Sequence, residues 1–193
     1  MGCRTRPRIK GVTLVELLVT IAVLAILLAA ATPSFADFID RYRLRGAVDD
    51  VVSVISIARA EAVKGDRDVN VSIGGSTSAW CIGANAAVEP VGGAPAADAA
   101  ACNCSVADSC MVGGQQLRIA TGTHGGVAVG AVGDDFSFDS KLGVTVDLET
   151  AAATFTSPSR KYDLQVNVNP LGQASVCRPA SKPAIPGVQP CAP

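Results

Sequence analysis

Histidine occurs once in 193 residues, and aromatic side chains are nearly as scarce: five Phe, two Tyr and one Trp. A hydrophobic core must therefore be assembled from small aliphatic residues, chiefly Ala and Val. The lone imidazole, His124, lies in Thr123-His124-Gly125-Gly126 and reads as a surface turn residue rather than a general base. No G-x-S-x-G, H-E-x-x-H or phosphate-loop pattern is present. These absences argue against an enzyme, a small-molecule substrate and a cofactor. Charge is sparse too, with 17% of residues charged and a formal net of −1. Its distribution is uneven. Residues 1–11 hold four bases (Arg4, Arg6, Arg8, Lys10) and no acid; without them twelve bases face 17 acids. A chain of that balance is a poor electrostatic partner for nucleic acid.

What is present begins at Gly11. From Val12 to Ala31 run 20 residues in which only Thr13, Glu16 and Thr20 are polar. As a helix this segment spans about 30 Å, the thickness of a bilayer core. An ionised carboxylate costs roughly 2.5–3.5 kcal/mol at the centre of such a helix, so Glu16 requires a partner. An amine released by cutting after Gly11 would supply one. The basic leader would stay cytoplasmic, although Arg41, Arg43 and Arg45 beyond the segment weaken the asymmetry. An ordinary signal peptide, cleaved after Ser34-Phe35-Ala36, is the competing reading. It leaves unexplained both Glu16 and a junction that precedes the apolar run.

Pro33 removes a helical hydrogen bond and predicts a kink or local unwinding. Beyond it Phe35, Phe38, Ile39, Tyr42, Val48, Val51, Val52, Ile55 and Ala62 recur at three- and four-residue steps, an amphipathic stripe that covers one face of a domain. Lys64-Gly65 supplies a basic last turn and a left-handed cap. Short alternating segments follow. Strands are expected over Val69–Ile73, Ala79–Ile82, Gln116–Ala120, Gly126–Val132, Phe136–Phe138, Gly143–Asp147, Ala151–Thr156, Tyr162–Val168 and Gln173–Cys177. Asn169-Pro170-Leu171-Gly172 reads as a hairpin turn. Asp134-Asp135 reads as a solvated turn, too few carboxylates for a cation site.

Of seven cysteines, Cys3 lies in the leader. The other six (Cys81, Cys102, Cys104, Cys110, Cys177, Cys191) are an even number in an extracytoplasmic domain and read as disulfides, with 15 complete pairings open. Cys177 and Cys191 bracket the tail; a bridge between them would close a loop of about 15 residues, for which the chain-entropy model gives roughly 3 kcal/mol. A thiolate site at Cys102, Cys104 and Cys110 is disfavoured, because the spacing lacks paired C-x-x-C knuckles. No metal is expected.

The run Gly11-Val12-Thr13-Leu14-Val15-Glu16-Leu17-Leu18 and the apolar residues after it resemble the prepilin cleavage and methylation motif. Pro33-Ser34-Phe35 and Ala58-Arg59-Ala60-Glu61-Ala62-Val63-Lys64 narrow the resemblance to FimT/FimU minor pilins and the H-type (GspH) pseudopilins of type II secretion. Phe136-Ser137-Phe138-Asp139 with Gly143 is compatible with a GspH-like β-domain. The resemblance implies an α+β, pilin-like fold, with a long N-terminal helix packed on an antiparallel sheet domain. It divides the chain into a leader (1–11), a transmembrane helix (12–32), its amphipathic continuation (33–65), a β-domain (66–177) with a long loop at 84–114, and a Pro-rich tail (178–193).

It further implies cleavage by prepilin peptidase between Gly11 and Val12, N-methylation of Val12, an assembly role for Glu16 and other pilins or pseudopilins as partners. The location is the bacterial inner membrane, single-pass, with a periplasmic C-terminal domain. Two alternatives accompany the minor-pilin reading. One is the H-type pseudopilin of protein export. The other is a filament-displayed DNA receptor, disfavoured because the expected arginines of a G-R-x-R element are missing from Gly172-Gln173-Ala174-Ser175; Arg160, Lys161, Arg178 and Lys182 are the weak DNA contacts that remain.

Overall fold

A computed structural model describes residues 11–86, 101–106, 108–120, 124–132, 135–148 and 150–192. Leader residues 1–10, residues 87–100 of the long loop and Asp134 lie outside them. The chain divides into two compact units, Met1–Ile39 and Asp40–Pro193.

A single helix, α1 (Leu14–Gly65), runs through both units. Thr13 caps it: its Oγ1 accepts the Glu16 amide at 3.2 Å. The helical assignment continues through Pro33. The helix ends in a Schellman arrangement, with the Arg67 amide donating to the Ala62 carbonyl at 3.2 Å. The left-handed residue is Asp66 (φ 49°) rather than the expected Gly65. Asp tolerates that conformation better than most side chains, so the cap falls one position later.

In the first unit the apolar side chains of α1 are exposed from Val12 to Leu28. In the second, Leu44, Ala47, Val48, Val51, Val54, Ile55, Ala58 and Ala62 form the buried stripe. Val48, Val51, Ile55 and Ala62 of the expected stripe are buried, but its first part is not: Tyr42 is 68% exposed, and Phe35 and Phe38 also lie outside the core.

Two four-stranded antiparallel sheets complete the second unit. With β1 (Val69–Ser76), β2 (Ala79–Ala86), β5 (Arg118–Ala120) and β7 (Phe136–Phe138), the first has order β5-β2-β1-β7. The second, order β10-β9-β8-β6, contains β6 (Ala128–Val132), β8 (Ala151–Thr156), β9 (Asp163–Val168) and β10 (Ala174–Cys177). Strict alternation sends Leu164, Val166 and Val168 of β9 inward. One buried cluster joins the α1 stripe to both sheets. Its few aromatics are central: Trp80 packs edge-on against Phe155, with centroids 5.0 Å apart, and donates from Nε1 to the Val127 carbonyl.

Two expectations fail locally. Gly143–Asp147 is not a strand; an isolated bridge at Thr145 and a 3-10 turn (Val146–Leu148) replace it. Asp139 Oδ1 accepts the amides of Lys141 and Leu142, and the Thr145 amide turns to the Pro170 carbonyl, so the ladder is diverted into turns. A short hairpin, β3 (Met111–Val112) and β4 (Gln115–Gln116), lies partly within the expected loop. Gly113 and Gly114 both take positive φ at its tip, as a two-residue hairpin turn requires.

Candidate functional site

Gly11 and Val12 precede the first turn of α1 and are exposed, with nothing within 4 Å of where a Gly11 Cβ would stand. Glu16 lies in the first turn, where the unsatisfied amides of the helix favour an acid by about 0.3–1 kcal/mol. Thr13-x-x-Glu16 also fits the capping-box pattern, a helix-start signal carried by the sequence itself. Only the Glu16 amide is engaged; its carboxylate has no partner among the described residues. Around it stand Leu14, Val15, Leu17 and Leu18, all exposed.

All six cysteines of the domain are paired. Cys81 joins Cys104, Cys102 joins Cys110, and Cys177 joins Cys191, with Cα separations of 5.6, 5.2 and 4.8 Å. The three thiols weighed as a metal set thus belong to two different bridges. The first ties the loop to β2, the second closes the loop on itself, and the Cys102 amide donates to Ser72 Oγ on β1. The third ties the tail to β10, where Arg178 and Pro190 form a parallel bridge.

Arg160, Lys161, Arg178 and Lys182 are brought to one end of the second unit, but two are consumed internally. Arg178 Nη1 donates to the Lys182 carbonyl at 2.8 Å. Lys182 Nζ pairs with Asp163 at 3.1 Å. Arg160 and Lys161 are exposed. His124 is not the surface residue expected: its side chain is 13% exposed, and Nε2 lies 2.6 Å from Asp50 Oδ2 on α1. A groove of about 710 Å³ runs between α1 and the β9–β10 turn, where Arg59 Nε donates to the Gly143 carbonyl. Neither place gathers a nucleophile with a base.

An apolar helix with a single acid near its start, followed in the chain by an antiparallel β-domain, defines a pilin-like subunit. Two family models agree. The prokaryotic N-terminal methylation motif matches residues 6–32, and type II transport protein GspH matches residues 47–172, well over half of the chain. The chain belongs to the GspH family and is a minor pilin or pseudopilin. Among solved structures, it is similar to the Pseudomonas aeruginosa (strain PAO1) type IV minor pilin FimU at 14% identity and a TM-score of 0.46, with 75% of this chain and 95% of that one covered. No curated protein matches.

Proposed function

We propose that prepilin peptidase cuts this subunit between Gly11 and Val12 on the cytoplasmic side of the inner membrane. The new Val12 amine is methylated, and the subunit leaves the bilayer for a type IV pilus or type II secretion pseudopilus with its β-domain on the periplasmic side. Its part is structural, and its partners are other pilins or pseudopilins.

The carrying observation is the Glu16 carboxylate, without a partner among the described residues, one turn past an exposed Gly11-Val12 junction on an apolar helix. The helix-end preference of about 0.3–1 kcal/mol is too small to offset the roughly 2.5–3.5 kcal/mol that a charge costs inside the apolar layer. A second charge is needed. In the filament interior Glu16 of one copy meets the Val12 ammonium of the next, and either group alone there would be strongly destabilising.

The test is Glu16→Ala. The variant is expected to be processed and membrane-inserted yet depleted several-fold from sheared filaments. Undiminished incorporation would refute the pairing. Loss of twitching on deletion assigns the subunit to a pilus, and loss of exoprotein export assigns it to secretion. The DNA-receptor alternative is weakened by the internal engagement of Arg178 and Lys182.

A further inference from the structure

Strand β10 ends its sheet, next to β9. The register sets Ser175 opposite Asn167 and Cys177 opposite Gln165, and the Asn169 amide donates to the Gln173 carbonyl at 3.1 Å. Antiparallel alternation then turns the backbone of Gln173, Ser175 and Cys177 toward β9 and that of Ala174, Val176 and Arg178 away from it. The tail completes the last of these. The Arg178 amide donates to the Gln189 carbonyl, and the Arg178 carbonyl accepts the Cys191 amide, both at 2.9 Å. Ala174 and Val176 have no strand on that side among the described residues. Free N–H and C=O groups of this kind are a template for another chain.

The open edge borders the groove of about 710 Å³. Ala174 and Ser175 stand on one side, and Ser56, Arg59, Ala60 and Val63, one face of α1, stand on the other. Val63 and Leu142 add exposed apolar surface. Among the described residues that line the groove, Arg59 alone carries a charge. Its Nε donates to the Gly143 carbonyl at 2.8 Å. Gly143 and Gly172 crowd the same nitrogen: a Cβ on either would stand 3.3 or 3.1 Å from it. The guanidinium is thus held in place, half-buried, with no carboxylate paired to it among the described residues. Its remaining N–H donors form a planar fork that suits a carboxylate.

We propose that this groove binds an extended, acidic peptide segment of another protein. The segment adds as a strand to β10 at Ala174 and Val176 and sets a carboxylate on Arg59. Main-chain hydrogen bonds supply the attachment, and the ion pair supplies the choice of sequence. The inference is independent of the pairing proposed for Glu16. A free inorganic anion would engage Arg59 yet leave the edge open. Nucleic acid would meet a single cation in the groove, too little for phosphate-driven binding.

The test uses the full chain in detergent micelles and a blocked peptide, Thr-Val-Thr-Glu-Thr-Val-Thr, with its Glu→Gln analogue. Amide exchange is read residue by residue by NMR. At about ten times the peptide's Kd, exchange at Ala174 and Val176 is expected to slow about tenfold. Ser175 and Cys177, already bonded to β9, are expected to stay unchanged. The Gln analogue is expected to bind about tenfold more weakly, and Arg59→Gln is expected to erase that difference. The analogue leaves the protein untouched, so a folding defect of the variant does not enter the first comparison. No slowing at Ala174 and Val176 up to the peptide's solubility limit overturns the proposal, as does equal affinity for the two peptides. Slowing by inorganic phosphate or by short duplex DNA, without any effect of the peptide, overturns it in favour of that ligand.

Discussion

Gly83 has no room for a side chain. A Cβ there would stand 3.0 Å from Cys102 Sγ and in still closer conflict with Cys110 Sγ. Gly83→Ala is expected to cost about 1–3 kcal/mol through this overpacking, read as a lowered denaturant midpoint by the fluorescence of buried Trp80. The tail bridge is a separate case. Cys177→Ser/Cys191→Ser releases a loop with a sequence separation of 14, and roughly 3 kcal/mol of stability should go with it. Loss well below 1 kcal/mol would mean that the Arg178 and Cys191 backbone bonds hold the tail unaided. The cysteine count pointed to crosslinking, but 15 pairings were open because pairing depends on which strands become neighbours. Gly11, Val12 and Glu16 are the opposite case: the roles we propose for them rest on local order along the chain.

α1 carries the most legible pattern and also its instructive error. Three- and four-residue spacing located the buried helix, yet the stripe begins at Leu44 and leaves Tyr42 outside. Apolar residues on the wet side look like core residues until the sheets choose a face. Leu44→Ala is expected to destabilise the β-domain by about 2–5 kcal/mol, read as a lowered denaturant midpoint. At the far end of α1, Asp66 takes the left-handed cap and accepts from Lys141 Nζ at 2.5 Å. That hydrogen bond, and then the Asp66 charge, hold the Lys141 pKa above its usual 10.5. The pair's contribution is therefore complete below pH 10.5 and lost as pH rises through the higher folded value. The difference in midpoint between the parent chain and Lys141→Gln should stay constant from neutral pH to about 10 and shrink above it. The segment at 143–147 defeated strand reading because Asp139 and Pro170 offer its neighbourhood turn hydrogen bonds instead of a ladder partner.

At the scale of the whole molecule, two parts with different solvents share one helix: an exposed apolar stretch and a crosslinked β-domain with its own core. The domain accounts for its own burial, but the apolar stretch does not, and its single acid, without a partner among the described residues, is the group we propose to meet a charge on another copy. Both requirements are met if the new amino end at Val12 and the carboxylate at Glu16 come from adjacent copies. The most direct test is the mass of the N-terminal peptide of the protein purified from cells. Cleavage at this junction predicts a peptide that begins at Val12 and carries one added methyl group. A chain that begins at Met1 or at Asp37 would contradict it, the first by leaving no free amine beside Glu16 and the second by removing Glu16 altogether.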